Sequence, residues 1–392
     1  MTVNTVDALN WSSAWSAAVQ RPSSGFAENW AERGFDHHSV RQVVRLTGGG
    51  TALRIRLSNR YGAEPLTVRS ATVALSAGGA AVKPGTVREL AFAGDASVWI
   101  PAGAETMTDL VELTVEPFAS VAVTLYFDGP TGPSTFHAQA WTDSYRAAGD
   151  HTADPGGEHF AEVTRSWYYL SDVEVADVGP VQEAVVAFGD SLTDGFGSTV
   201  GTNHRYPDAL AERLAASGRR WAVLNQGIGG NLTLHDSPWF GERGLGRFER
   251  DVLAKPGVRS VIVQLGLNDI GFSEVDLPTY RPNPEVSPEQ LIAGYRELIE
   301  RAHARGVRVI GATITPFKGS EYFTARAEAK RLAVNEWIRT SGAYDAVADF
   351  AAVLAAPGDR ELLNPAYDFG DRKHPGDAGF RLMAEAVDLA AL

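Results

Sequence analysis

The chain has 392 residues, too many for one ordinary hydrophobic core, so two domains are expected. Its 35 basic and 48 acidic side chains leave a formal charge of −13, which argues against nucleic-acid and anionic-membrane partners, since both require basic surface. The absence of cysteine excludes disulfides, thiolate catalysis and cysteine-ligated metals, and 44% hydrophobic with 21% charged residues is the balance of a globular protein.

The opening segment, Met1 to Asp7, lacks the basic start and apolar core of a signal peptide. A cytoplasmic protein is expected, or a secreted one whose leader has been removed. No apolar run approaches the length of a membrane span. Residues 1–178 read as all-β. Leu53, Ile55 and Leu57 alternate with Arg54, Arg56 and Ser58; Val111, Leu113 and Val115 alternate with charged or polar neighbours, as do Val121, Val123, Leu125 and Phe127. Period-two patterning marks strands with one buried face. Turn signals such as Gly48-Gly49-Gly50 and Asp128-Gly129-Pro130 separate them, which points to an antiparallel, jelly-roll-like sandwich.

Within this half, Arg41, Arg45, Arg54 and Arg56 read as a solvated basic face. His37-His38 and the pair His151/His159 have no carboxylate at a convincing spacing and read as ordinary loop histidines, so no metal is expected. Trp141, Trp167, Tyr168 and Tyr169 are assigned to core or to a domain interface rather than to sugar stacking. Asp150 to Pro180 reads as loop-rich, with the domain boundary at its end.

From 179 to 392 strands alternate with helices, the pattern of a parallel sheet covered on both sides, a three-layer α/β domain. Ala184 to Phe188 is a five-residue apolar run, a strand buried on both faces. Tyr206 to Ser217 reads as a helix, Trp221 to Leu224 as a strand, Gly244 to Lys255 as a helix and Val258 to Leu265 as a strand. Ser287-Pro288-Glu289-Gln290 carries an N-cap serine, a first-turn proline and a capping-box glutamine, opening a helix that stops at Gly306. Val307 to Gly311 and Ala346 to Phe350 are strands, with a helix over Ala325 to Ser341 between them. Gly376 to Leu392 reads as a closing helix.

Ligands of such sheets bind beyond the carboxyl ends of the strands, so the residues that follow each strand matter most. They are Asp190-Ser191, then Asn225 to Asn231, then Gly266-Leu267-Asn268-Asp269, then Thr313-Ile314-Thr315-Pro316, and finally Asp371-Arg372-Lys373-His374. Serine, glycine backbone, amide, carboxylate and imidazole are the components of an acyl-transfer site. Ser191 needs a base to take its proton, and His374 suits that task because imidazole titrates near neutral pH. Asp371, three residues earlier, can hold the other ring nitrogen. Gly230 offers an unobstructed N–H, Asn268 a neutral amide donor, and the Ser191 N–H completes an oxyanion hole. Gly229, adjacent to Gly230, could supply the same donor. His204, His235 and His303 are weaker candidates for the base.

The segments Gly189-Asp190-Ser191-Leu192, the glycine of Asn225–Asn231, Gly266-Leu267-Asn268-Asp269 and Asp371-x-x-His374 resemble, in order and spacing, the four blocks of the SGNH (GDSL) hydrolases. The resemblance covers about residues 181–392, and the preceding β-sandwich is similar to a subgroup of arylesterases and xylan-associated acylhydrolases. It implies an SGNH-type α/β hydrolase fold and a serine esterase of short-chain acyl esters, acetylated saccharides or aryl esters among them. Ser191, Gly230, Asn268 and His374 would carry catalysis, with Asp371 orienting the histidine and no cofactor. No G-x-S-x-G occurs, which disfavours the α/β-hydrolase family. Three rival readings remain: an acyltransferase using the same triad, a carbohydrate-binding protein with an inactive hydrolase half, and a nucleotide binder using Gly227 to Gly230 as a phosphate turn.

Overall fold

Residues 9–24, 26–281 and 283–392 are described by the computed structural model. The segment Met1 to Asp7, read above for a leader, lies outside them. The chain forms two compact units, Met1–Glu183 and Ala184–Leu392.

The first unit is built from two antiparallel sheets. One has the order Leu9–Ser16, Leu170–Val178, Gly50–Ser58, Val111–Val115, with Glu105–Met107 also paired to Gly50–Ser58. The other places His38–Arg45 between Ser144–Ala148 and Ser120–Phe127, with Ser70–Gly78 beyond. The alternating apolar residues of both meet in a single core, Val40, Val44, Val73, Val123 and Leu125 facing Leu53, Ile55, Leu57, Val173 and Val175. Trp167, Tyr168 and Tyr169 belong to that core.

Two readings need correction here. The stretch taken as loop-rich contains Leu170–Val178, the strand that pairs with both Leu9–Ser16 and Gly50–Ser58. Its Val173-Glu174-Val175 alternation carries acidic residues that resemble a surface loop. Those acids are instead cross-strand partners, Asp172 opposite Arg56 and Glu174 opposite Arg54. Arg54 donates from Nε and Nη2 to Glu174 Oε2 at 2.8 and 2.6 Å and lies 4.1 Å over the Trp11 ring. Nor do the arginines make a solvated basic face, because Arg41 is 1% exposed.

The second unit is a five-stranded parallel sheet in the order Ala222–Gly227, Ala184–Gly189, Val258–Gln264, Arg308–Ala312, Ala346–Ala348. The chain therefore steps from Ala184–Gly189 to the edge strand Ala222–Gly227 and returns past Ala184–Gly189 to build the rest. Right-handed crossovers then put Tyr206–Ala216 on one face and the helices after the second, third and fourth strands on the other. Side-chain packing agrees, since Tyr206–Ala216 packs with Asp377–Glu385, while Pro288–His303 packs with Ala325–Thr340 and Gly244–Phe248. Pro288–His303 starts at the expected capping box, Ser287 Oγ accepting from Gln290 N and Gln290 Oε1 accepting from Ser287 N.

The closing helix is shorter than its sequence suggests. It spans Asp377–Glu385, and Val387 is buried from the turn that follows. A small hairpin, Ala355–Ala356 with Asp359–Leu363, was not foreseen. Among the described residues no helix is long and apolar enough to cross a membrane.

Candidate active site

The first central strand, Ala184–Gly189, is completely buried and ends at a glycine. A Cβ on Gly189 would stand 2.0 Å from Thr193 Oγ1 and 2.5 Å from the Gln264 carbonyl oxygen, so only glycine lets the chain turn here against its neighbour strand. Asp190 then caps the short helix Ser191–Asp194, its Oδ1 accepting from Leu192 N at 3.0 Å. Burial lifts the Asp190 carboxyl to about 7 despite that hydrogen bond, helped by the nearby Asp269. Below that pH the carboxyl is mostly protonated and adds little negative charge beside the serine.

Ser191 Oγ lies 2.7 Å from His374 Nε2, and His374 Nδ1 lies 2.6 Å from Asp371 Oδ2. The second carboxylate oxygen of Asp371 accepts from the backbone N–H of His374 at 2.9 Å and of Lys373 at 3.1 Å. A three-residue turn thus holds the carboxylate at the imidazole of its own segment. Burial pushes the Asp371 carboxyl up, but its bonds and attraction to His374 outweigh that and hold it at about 2. Burial also lowers His374, against the upward pull of Asp371. The imidazole is therefore neutral over a wider pH range than in water, with Nδ1 bearing the proton towards the anionic carboxylate and Nε2 open to accept from the serine.

Three donors surround the serine's end of the sheet. The N–H of Gly229 donates to Asp194 Oδ2 at 3.0 Å, whereas the N–H groups of Gly230 and Ser191 meet no protein acceptor among the described residues. Gly230 sits at φ +74°, and a Cβ there would lie 2.4 Å from the Phe240 ring, so both conformation and space require glycine. Asn268, in the short helix Leu267–Gly271 after the third strand, is 3% exposed. Its Oδ1 accepts from Tyr322 Oη at 3.2 Å and its Nδ2 donates to the Asn231 carbonyl at 3.1 Å. With Oδ1 fixed as acceptor, the second Nδ2 hydrogen is left for a ligand. The N-cap of that helix is Gly266, not Asn268, so this side chain is not spent on capping.

Three supporting residues carry no local sequence signal. Asp269 accepts from Thr233 N, Thr233 Oγ1 and Leu234 N, clamping the glycine loop to the asparagine turn. Arg247, fully buried, donates to the Gly189 and Gln226 carbonyls, to Asn231 Oδ1 and to Asp251. It joins the ends of two strands to the glycine loop. Tyr322 orients the amide of Asn268. Most of their partners lie in distant segments of the chain, so a linear reading passes over them.

The other histidines are placed differently. His204 bonds Asp377 and His303 bonds Asp345, each at 2.9 Å, but neither has a serine hydroxyl on its other nitrogen. No helix opens after Gly230 until Gly244, so the turn at Gly227–Gly230 has no helix N-terminus to receive a phosphate. Phe240 packs on Gly230 and against Phe272 and Tyr280, while Trp239 is half-buried. Chemically, the assembly offers a hydroxyl with a base in line, and donors for negative charge beside it.

The model of the GDSL-like lipase/acylhydrolase family matches residues 187–382. No curated protein matches the chain. Among solved structures, a mutant of Axe2, an acetyl-xylooligosaccharide esterase from Geobacillus stearmophilus, is 26% identical, with 52% of this chain and 91% of that one covered and a TM-score of 0.40. LAE5, an alpha/beta hydrolase enzyme from the metagenome of Lake Arreo, Spain, is 25% identical over 53% and 94%, TM-score 0.41. The lipase/acylhydrolase from Enterococcus faecalis is 22% identical over 52% and 93%, TM-score 0.39.

Proposed function

The chain belongs to the GDSL-like lipase/acylhydrolase family and is a carboxylic ester hydrolase, and from that premise we propose that Ser191, His374 and Asp371 form its triad and that it cleaves short-chain acyl esters. The observation that carries the assignment is the unbroken line from Asp371 Oδ2 through His374 to Ser191 Oγ, at 2.6 and 2.7 Å. Ser191 Oγ attacks the ester carbonyl carbon as its proton passes to His374 Nε2. The carbonyl π electrons move onto oxygen, and the N–H groups of Ser191 and Gly230 and the Asn268 amide receive that charge. Collapse expels the alcohol, which takes the proton from His374, and leaves an acyl-serine. Water, deprotonated by the same imidazole, repeats the sequence and releases the acid. Gly229 is the weaker candidate for the second donor because its N–H already serves Asp194.

This mechanism fixes a pH dependence. Only neutral His374 can accept the serine proton, and burial lowers its pKa below the ordinary 6.5. Protonation therefore removes activity as pH falls, and kcat/KM should rise through a single ionisation whose midpoint lies below that value. A midpoint clearly above 6.5, measured on a nitrophenyl ester, would contradict a buried imidazole as base.

Acyl preference should run from acetyl to about butyryl. Phe240, Phe272, Tyr280 and Tyr322 pack ring against ring next to Gly230 and Asn268, which fills the space beside the oxyanion donors. A series of nitrophenyl esters, with acetylated xylan and aryl acetates beside it, tests the acyl and leaving-group sides separately. Faster turnover of decanoyl than of butyryl esters would overturn this preference.

A further inference from the structure

The first unit holds a second group of chemically capable side chains. Between Ser144–Ala148 and Glu162–Thr164 the chain makes a loop that is fastened by Arg41. Arg41, buried, donates from Nη1 to the carbonyls of Ala80 and Gly156, at 2.7 and 3.0 Å. From Nη2 it donates to those of His151 and Asp154, at 3.2 and 2.7 Å. One guanidinium thus sets the backbone on which His151 and Asp154 stand.

On that backbone His151, Asp154 and His159 bring one ligand atom each to within 4.8 Å of one another. The spacing of His151, Asp154 and His159 along the chain is unconvincing for a metal site, and it is the folding of the loop that brings the three together. The His151 ring is fixed by its contacts. Nε2 lies 2.8 Å from the Ala148 carbonyl oxygen, which can only accept, so Nε2 carries hydrogen. Nδ1 then points at Asp154 Oδ2, 2.7 Å away. A nitrogen lone pair and a carboxylate oxygen that close require a positive centre between them. His159 Nε2 stands 3.9 Å from the same oxygen, and its ring stacks on His151 with centroids 4.3 Å apart.

We propose that His151 Nδ1, Asp154 Oδ2 and His159 Nε2 form a binding site for a divalent transition ion of the zinc class. Two imidazoles and a carboxylate favour such an ion over magnesium or calcium, which prefer all-oxygen sets. The Ala148 carbonyl is the outer partner that a metal-bound imidazole usually has. Ligand atoms around a tetrahedral ion with bonds of about 2.0–2.1 Å stand about 3.3 Å apart. The His151–Asp154 contact therefore opens and the His159–Asp154 contact closes, by about 0.6 Å each, and the His159 ring turns out of its stack on His151 so that both ring planes contain the ion. His159, with its side chain 54% exposed, has the freedom to do this. Water completes the shell. The ion would staple the loop across residues 151 to 159.

A single proton on Nδ1 is the competing occupant, and it would make the cluster an ordinary ion pair. Titrating the metal-stripped full chain with zinc chloride in excess magnesium chloride separates the two. One zinc per chain should bind in the calorimeter and raise Tm. His159→Ala and Asp154→Asn should each weaken binding about tenfold or more while leaving esterase activity unchanged. His37→Ala, at the other histidine pair, should change nothing. His159 is exposed, so its replacement keeps the fold. Absence of zinc binding, undiminished binding in His159→Ala, or loss of binding in His37→Ala would each overturn the site.

Discussion

Ser191→Ala is expected to lower kcat/KM by roughly 10⁵–10⁶-fold and to abolish labelling by a fluorophosphonate. The hydroxyl's one described hydrogen bond is to His374, so its loss should leave stability within about 1 kcal/mol of the parent. His374→Ala should cost about as much, and the double variant no more than either, because base and nucleophile act as one unit. Asp371→Asn should cost less, about 10⁴-fold, through loss of the correct tautomer. The oxygen that Asn retains can still accept from the two backbone N–H groups, so the turn around His374 is kept while the amide NH2 faces Nδ1. Rates from single-turnover experiments, with labelling read on a gel, check all four proteins. Persistent labelling of Ser191→Ala would mean that the nucleophile is another residue.

The second large effect is at Asn268. Its amide is neutral and bonded on one side to Tyr322 and on the other to the Asn231 carbonyl. The remaining N–H can be strengthened only by charge that appears as the carbonyl oxygen becomes an anion. Asn268→Ala should therefore reduce kcat by about 10²–10³-fold with KM nearly unchanged. It also removes two buried hydrogen bonds, worth about 1 kcal/mol each, so Tm should fall as well. The two readouts are separable, and an Ala variant that is destabilised but keeps its kcat would sink the oxyanion role. Asn268→Asp should be at least as damaging, because it sets a carboxylate against the developing negative charge. Tyr322→Phe keeps the ring in place but frees the amide to rotate. It should fall between the parent and Ala, at about tenfold in kcat.

What could be read from the linear chain divides along a physical line. Ser191, Asn268 and the Asp371/His374 turn stand out as candidates because a buried apolar run announces each central strand, and chemistry collects at strand ends. The glycine could be narrowed only to a pair. Choosing Gly230 requires knowing that Asp194, thirty-five residues earlier, takes the N–H of Gly229. Arg247, Asp269 and Tyr322 act through contacts between distant segments, and an isolated Arg, Asp or Tyr looks the same whether it is exposed or holds a loop. The first unit was harder to read for a related reason. Asp172 and Glu174 in Leu170–Val178 read as surface residues, yet arginines on the adjacent strand neutralise them inside the sheet. Arg41 reads as solvated, yet it is the organiser of its loop.

The buried guanidinium of Arg247 also follows most of its partners in the chain. Its acceptors at Gly189, Gln226 and Asn231 all emerge from the ribosome before it does. Until residue 247 arrives, two carbonyls at the nascent strand ends and the amide oxygen of the glycine loop lack their shared donor. The candidate oxyanion segment is thus completed from behind. A chain interrupted before the helix Gly244–Phe248 would carry Ser191 and Gly230 without the group that fixes them relative to each other. The candidate active centre thus depends on a residue that is itself no part of the line from Asp371 through His374 to Ser191.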